Sequence, residues 1–276
     1  MAMKDNDGAG EKERKLYSKS KLPASDYVIN PYVGCLHGCT YCYACFMGRF
    51  TGHKEPWGTY AEPKEYTSMK LPGEQKGKTL LVGSVTDAYN PAEKRYQKMP
   101  RILEALQEYQ GHVEILTKSK LILRDMELLK RIPDISVGVS LAFCSERDVE
   151  IWEPRASGMR ERLDTLRVLH ENGIRTYLFA APYFPGLTDL NKLIDWTEGS
   201  VDSVCVENLN LRGSYKAKVM ALVREQYLDL LPLYRQVYEK GGGAEYWKGV
   251  EEELDRLKRD RKIQVISYLY HEKIKK

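Results

Sequence analysis

The sequence Cys35-Leu36-His37-Gly38-Cys39-Thr40-Tyr41-Cys42 places three cysteines on one short loop, in the spacing C-x3-C-x2-C. Cysteine thiolates normally hold each iron of a cubane iron–sulfur cluster. This loop supplies three thiolates and leaves the fourth iron without a protein ligand. An open metal position is where a cofactor or substrate binds. The spacing therefore predicts a site for one [4Fe–4S] cluster, with Cys35, Cys39 and Cys42 as ligands.

Two other kinds of site use the same cysteines. A structural zinc ion needs four ligands, and His37 or Cys45 would complete the set, although such sites normally use paired C-x2-C units. A disulfide framework needs an oxidising compartment, whereas Cys144 and Cys205 are scattered and no signal peptide opens the sequence. The spacing and its context favour the cluster over both alternatives.

Composition narrows the class of protein. The chain has 276 residues, of which 42% are hydrophobic and 30% charged, as is usual for a globular protein. No apolar stretch approaches the ~18 residues that a membrane span requires. The net charge of +4 is too small to indicate nucleic acid by itself. Six cysteines without a targeting segment predict a reducing, cytoplasmic location and no membrane association.

Strands and helices alternate outward from the cysteine loop. A β-like run at 27–33 precedes it, a helical turn at 41–49 follows it, and an irregular stretch with one short strand occupies 52–78. Further strands are predicted at 79–85, 113–117, 135–142, 174–181 and 201–207, and helices at 92–109, 121–131, 158–172, 187–197 and 217–240. This alternation indicates parallel βαβ units. With six strands in this order, the sequence predicts an α/β fold, a partial (β/α)6 barrel whose functional residues gather at the carboxyl ends of the strands.

The two ends differ from the barrel in composition. Residues 1–21 are charged and aperiodic, which predicts a mostly disordered lead-in. The barrel is expected to span 22–240. Residues 241–276 contain a charged helix at 245–261 and a strand-like piece at 263–270, and we expect them to pack on the barrel as a short extension.

Several segments extend the pattern beyond the cysteines: Asn-Pro-Tyr-Val-Gly-Cys at 30–35, Thr-Asp-Ala-Tyr-Asn-Pro-Ala-Glu at 86–93, Glu-Pro-Arg at 153–155, and Ala-Pro-Tyr-Phe-Pro-Gly-Leu-Thr-Asp at 181–189. Together they resemble the spore photoproduct lyase-like branch of the radical S-adenosylmethionine (radical SAM) superfamily, from about residue 28 to residue 210. True spore photoproduct lyase has a hydrogen-donor cysteine after the second strand. Here that region reads Ser84-Val85-Thr86-Asp87, which argues against thymine-dimer reversal.

The resemblance implies two cofactors, a [4Fe–4S] cluster and S-adenosylmethionine (SAM). The amino and carboxylate groups of SAM chelate the fourth iron in that superfamily, and an electron from the cluster splits the sulfonium to give a 5′-deoxyadenosyl radical. The implied SAM site includes Tyr41, the aromatic residue before the third cysteine. The resemblance implies Ser84 and Asp87 for the methionyl amine, and Lys118, Ser140 and Arg155 for the carboxylate. It implies Thr86 and Asn208 for the ribose, and the loop that begins at Pro182 for the adenine.

Candidates for catalytic roles are fewer. Cys45, Cys144 and Cys205 remain as possible radical donors, of which Cys144 is best placed because it follows the fourth strand. Tyr89 is a comparable candidate for a substrate-side or radical-relay role.

Two functions follow from the resemblance. The first is an enzyme that abstracts hydrogen from a substrate such as a nucleic acid, a peptide or a small metabolite. It would receive electrons from an external donor such as flavodoxin or ferredoxin. The alternative is a cluster-binding, non-catalytic subunit that works with a second radical SAM protein.

Overall fold

The computed structural model describes residues 14–269. Its strands, in chain order, are β1 (Ser18–Lys19), β2 (Tyr27–Ile29), β3 (Tyr32–Gly34), β4 (Ala61–Pro63), β5 (Thr79–Val82), β6 (His112–Thr117), β7 (Ile135–Ser140), β8 (Arg175–Tyr183), β9 (Ser203–Asn208) and β10 (Gln264–Tyr268). The α-helices are α1 (Glu93–Tyr96), α2 (Lys98–Leu106), α3 (Met126–Leu129), α4 (Glu146–Trp152), α5 (Met159–Glu171), α6 (Leu190–Thr197), α7 (Tyr215–Gln226), α8 (Leu231–Tyr238) and α9 (Gly243–Asp260). The described range also contains 3₁₀ helices at Tyr43–Phe50, Lys120–Asp125 and Leu228–Leu230.

Among residues 14–269, eight strands form one sheet in the order β1-β2-β5-β6-β7-β8-β9-β10. Every neighbouring pair from β2 to β10 is parallel, and only β1 is antiparallel to its neighbour. Within residues 14–269, β1 and β10 lie at opposite edges of this sheet and do not pair with each other. The predicted α/β class and partial barrel are confirmed. No helix in the same range is long and apolar enough to cross a membrane.

The two faces of the sheet differ in burial. Val113, Ile115, Val137, Leu178 and Val204 are fully buried on the face covered by helices such as α5. Burying such a side chain contributes ~1.5–3 kcal/mol each. Residues that alternate with them point to the other, inner face, because successive side chains of a strand point to opposite sides. Much of this inner face is only partly buried, so the barrel encloses an accessible concave surface.

The predicted strand at 27–33 is two strands in two sheets. Strand β2 joins the barrel beside β5, whereas β3 pairs antiparallel with β4. The chain changes direction at Asn30 and Pro31. The Asn30 side chain accepts hydrogen bonds from the amides of Val85 (2.9 Å) and Thr86 (3.3 Å), which fixes the change of direction to the end of β5.

The predicted helix at 92–109 is divided at Gln97, which has φ 45°. The cause is the Glu93 carboxylate, because it accepts from the amides of Lys98 (2.9 Å) and Met99 (3.1 Å) and so satisfies the start of α2. The predicted helix at 217–240 likewise divides into α7 and α8, and Pro232 lies in the first turn of α8. The segment predicted helical at 121–131 begins as a 3₁₀ helix and continues as α3, and α4 was not predicted.

The lead-in and the C-terminal extension each contribute a strand to the barrel sheet, which the sequence did not indicate. Part of the predicted disordered lead-in is a strand, β1, and the Arg14 amide donates to Thr67 Oγ1 at 2.9 Å. Residues 1–13 of the lead-in lie outside the described range. At the other end, β10 pairs in parallel with β9 along its whole length. The extension therefore adds a seventh parallel strand to the six that were predicted.

Candidate active site

The cluster loop, residues 35–42, leaves β3 and leads into the 3₁₀ helix Tyr43–Phe50. Glycines at both ends of its first turn have left-handed backbone angles, with φ 83° at Gly34 and φ 68° at Gly38. Neither position has room for a side chain. A Cβ atom at Gly34 would meet Tyr60, and one at Gly38 would meet the Arg155 guanidinium. Glycine at these two positions allows the loop to turn tightly against its neighbours.

The three loop thiols are partly buried. Burial raises the pKa of Cys35 to about 12, and it also raises the pKa values of Cys39 and Cys42. Thiolates at these positions therefore need a cation such as iron. No three His, Cys, Asp or Glu side chains among residues 14–269 converge on one point where a single metal ion could sit. A cluster, by contrast, takes each cysteine on a different iron, and the donor set fits it better than a zinc ion.

Asp87 ties the cluster loop to the ends of two barrel strands. Its carboxylate accepts from the Thr117 hydroxyl at 2.8 Å and the Lys118 amide at 2.7 Å, and Nδ1 of His37 lies 3.4 Å from it. Burial lowers the pKa of His37 to about 4, so the imidazole is neutral near pH 7. Asp87 therefore has partners within the protein, and its role toward the methionyl amine of SAM stays a prediction.

A buried ionic group lies directly beneath the loop. The Tyr41 hydroxyl donates to Oε1 of Glu153, and Nη1 of Arg162 lies 2.5 Å from Glu153 Oε2. Lys118 Nζ is 3.9 Å from Glu153 Oε1 and 5.8 Å from the Tyr41 ring centroid. Burial alone would raise the pKa of Glu153, but Arg162 and Lys118 outweigh it and hold the pKa below its usual value. Glu153 is therefore an ionised carboxylate.

The three residues predicted for the SAM carboxylate have different surroundings. The Ser140 hydroxyl is buried and donates to the Ala181 carbonyl at 3.1 Å. The Arg155 guanidinium donates to two backbone carbonyls, those of Leu36 at 2.5 Å and Gly58. Lys118 also lies beside the loop, with its side chain 20% exposed and its Nζ 3.9 Å from Glu153 Oε1. The three carboxylate-binding roles stay predictions, and Lys118 is the best placed.

The remaining cofactor candidates lie at strand ends. The Ser84 carbonyl accepts from the Tyr43 hydroxyl at 2.5 Å, and Thr86 is buried. Pro182 is the eighth residue of β8 and Asn208 ends β9. Oδ1 of Asn208 is buried and has no hydrogen-bond partner in the part of the chain that the structure describes. An unpartnered amide oxygen suits the hydroxyl donors of a ribose.

The two catalytic candidates differ in access. Tyr89 is fully buried, and burial followed by the nearby Asp125 carboxylate raises its pKa well above the usual range. A substrate in the barrel would have no exposed Tyr89 atom to contact. Cys144 is partly buried after β7 and donates to the Asp189 carbonyl at 3.6 Å. Both roles stay predictions.

The sequence interpretation named Cys205 but missed the other residues of a set on the inner face of the barrel. Strand register and side-chain alternation place a polar and aromatic set there: Glu114, Tyr177, Phe179, Cys205 and Tyr268. The Tyr177 hydroxyl donates to Glu114, and its ring lies where a Cβ at Gly138 would otherwise be. Burial raises the pKa of Cys205 to about 12, so its thiol is protonated. Period-two alternation along these strands was the signal that could have found this set.

Comparison with known proteins places this architecture in a family. The model of the Radical SAM superfamily matches residues 29–196. An uncharacterized protein of Methanocaldococcus jannaschii is 36% identical over 208 residues, which are 75% of this chain and 79% of that protein. A radical SAM Nα-GlyT isomerase of Pseudomonas phage M6 is 28% identical over 188 residues, which are 67% of this chain and 37% of the isomerase.

Among solved structures, spore photoproduct lyase with bound AdoMet and dinucleoside spore photoproduct has a TM-score of 0.66 at 16% identity, over 92% of this chain and 79% of the lyase. At this identity the likeness shows a common fold. The chain belongs to the Radical SAM superfamily and is a radical SAM enzyme. The cofactors of that superfamily are a [4Fe–4S] cluster and SAM, and its members generally need an electron donor. The predicted family is confirmed.

Proposed function

We propose that this enzyme binds one [4Fe–4S] cluster through Cys35, Cys39 and Cys42, binds SAM across the strand ends beside it, and abstracts hydrogen from a nucleobase-bearing substrate. The observation that carries the proposal is the single loop with three thiols at the carboxyl end of a parallel partial barrel. The polar groups around this loop fit the parts of SAM.

When bound, the cluster would supply an electron and SAM would supply a 5′-deoxyadenosyl radical. The chain itself positions the reacting groups. Lys118 offers a positive charge for the methionyl carboxylate, and Asn208 offers an unpartnered oxygen to a ribose hydroxyl. Phe184 packs 5.1 Å from the Tyr41 ring and 4.8 Å from the Trp152 ring, measured between centroids. This aromatic packing excludes water from the region beneath the cluster loop.

An exposed aromatic surface beside the loop supports a nucleobase as the substrate. Phe46 and Phe50 of the 3₁₀ helix Tyr43–Phe50 are 46% and 66% exposed, and the Arg49 guanidinium lies 4.7 Å from the Phe50 ring centroid. Aromatic rings and arginine planes stack on unpaired bases. The spore photoproduct lyase that shares this fold was solved with a dinucleoside ligand, which carries nucleobases.

Binding of a fluorescent single-stranded oligonucleotide tests the substrate class. Phe46→Ala with Phe50→Ala is expected to weaken binding by roughly tenfold or more, because stacking is worth ~1–3 kcal/mol per base. The matched control is Leu228→Ala, which removes an equally exposed apolar side chain, 66% exposed, from another helix. Equal binding by both variants would contradict the aromatic surface. A peptide that stimulates 5′-deoxyadenosine formation where oligonucleotides fail would contradict the substrate class.

A further inference from the structure

The segment of residues 152–155, which we call the clamp, runs beside the cluster loop and makes backbone hydrogen bonds to it at two points. The Thr40 amide donates to the Trp152 carbonyl at 3.0 Å, and the Arg155 amide donates to the His37 carbonyl at 3.2 Å. These bonds are not part of a helix or strand. They align the clamp with the loop between its first and third cysteines.

Side chains of the clamp add two further contacts to the loop and a third to Gly58. Glu153 accepts from the hydroxyl of Tyr41, the residue before Cys42. Arg155 donates from Nε to the Leu36 carbonyl at 2.5 Å and from Nη2 to the Gly58 carbonyl. The guanidinium occupies the space where a Cβ at Gly38 would lie, so the glycine permits the contact.

The clamp is in turn held in place by buried contacts to Arg162. Glu153 pairs with Arg162 at 2.5 Å, and both side chains are no more than 1% exposed. Arg162 donates to the Ser140 carbonyl at 2.9 Å and, through Nε, to the Ser157 carbonyl at 2.7 Å. The cluster loop is thereby connected through Glu153 to the end of β7 and to the start of α5.

We propose that the clamp positions the three cysteine ligands, and that Glu153 and Arg155 are positioning residues for the cluster. The inference deepens the proposed function and rests on its assignment of the cysteines. Three of the four clamped loop residues adjoin a ligand: Leu36 follows Cys35, Thr40 follows Cys39, and Tyr41 precedes Cys42, while the fourth, His37, lies midway between the first two ligands. An irregular loop has no regular backbone ladder of its own, so these contacts hold the spacing between the thiols.

The test variant is Arg155→Met, which removes the donors and keeps the aliphatic stem. Its matched control is Arg160→Met, an exposed arginine at the start of α5. Anaerobically reconstituted proteins are treated with an iron chelator without SAM. Arg155→Met should lose iron about tenfold faster than the wild type, as loss of charge-assisted hydrogen bonds implies. Arg160→Met should stay within about twofold of the wild type.

Four readouts separate positioning from general destabilisation. The reduced cluster of Arg155→Met should give a broadened electron paramagnetic resonance signal and a shifted midpoint potential. Arg155→Lys should recover part of the iron retention, because one ammonium reaches a single carbonyl where the guanidinium reaches two. In apoprotein, amide hydrogen exchange in the cluster loop should be faster in Arg155→Met than in Arg160→Met.

The outcomes are distinguishable. If wild-type protein takes up no four-iron cluster, the proposed function fails, and hydrogen exchange in apoprotein still decides whether the clamp holds the loop. If wild-type protein is loaded but Arg155→Met keeps iron and loses SAM affinity instead, the clamp is refuted. Arg155 would then be a SAM ligand, as the sequence predicted. Unchanged exchange in the cluster loop would also overturn the proposal.

Discussion

Replacing Arg162 by methionine removes one partner of the buried ion pair beneath the cluster loop. The Arg162 side chain is 0% exposed and that of Glu153 is 1% exposed. Methionine fills much of the same volume, so the main loss is the charge and the two hydrogen bonds to the Ser140 and Ser157 carbonyls. Glu153 is left as a buried carboxylate with Lys118, at 3.9 Å, as its nearest cation.

The expected cost follows from this geometry. Breaking a buried pair by removing one partner costs ~3–5 kcal/mol, because the remaining charge is uncompensated. That is a large share of the ~5–15 kcal/mol that stabilises a typical domain. A double variant, Arg162→Met with Glu153→Gln, removes both charges and should recover ~1–3 kcal/mol relative to the sum of the two single effects.

Denaturant unfolding of apoprotein is the assay, since bound cofactors would add their own stabilisation. Arg167→Met on the same helix is the control, because its pair with Glu171 is solvent-exposed and should contribute nothing measurable. If Arg162→Met unfolds at the same denaturant concentration as Arg167→Met, the buried pair does not stabilise this site. If the double variant is as unstable as the sum of the singles, the two residues do not interact.

Three further predictions concern the ligands, the cofactor and the pH dependence. Serine at Cys35, Cys39 and Cys42 should abolish iron binding, whereas Cys45→Ser should keep about four irons per chain by iron analysis. Lys118→Ala should weaken SAM binding roughly tenfold to a hundredfold by calorimetry, while equal affinity would refute its contact with the carboxylate. A hydrogen bond from Lys120 lowers the pKa of Glu161 in the folded state. Glu161 therefore stabilises the fold at pH values above its unfolded-state pKa of about 4.3, and this contribution to stability is lost as the pH falls through the folded-state pKa. Glu161→Gln should therefore be less stable than wild type at pH 7 in denaturant unfolding, with the difference vanishing toward pH 3; a constant difference would contradict this.

Local sequence signals predicted the parts of the fold that depend on local chemistry. Cysteine spacing predicted the cluster loop, and apolar runs predicted the parallel strands of the barrel. The break at Gln97 was missed because it depends on a carboxylate, Glu93, that caps the following helix. Strand β10 was predicted as a strand, but its place beside β9 depends on a pairing across more than 50 residues that no local pattern encodes.

The metal ligands of the candidate site could be predicted from the sequence, whereas the contacts of its polar groups could not. Arg155 was predicted to lie close to a strand end, but it follows α4, and its guanidinium contacts Leu36, 119 residues earlier in the chain. Sequence position gives the end of the barrel at which a side chain lies but not the atoms it reaches. The pairing of Glu153 with Arg162 similarly depends on the turn between α4 and α5, which brings together residues that are nine positions apart.

Formation of 5′-deoxyadenosine tests the central claim most directly. Anaerobically reconstituted protein is reduced with dithionite, mixed with SAM and analysed by chromatography. The account predicts 5′-deoxyadenosine from wild-type protein carrying about four irons per chain, and none from Cys39→Ser. A wild-type chain with its full iron content that leaves SAM intact, or one that holds stoichiometric zinc in place of iron, would contradict it.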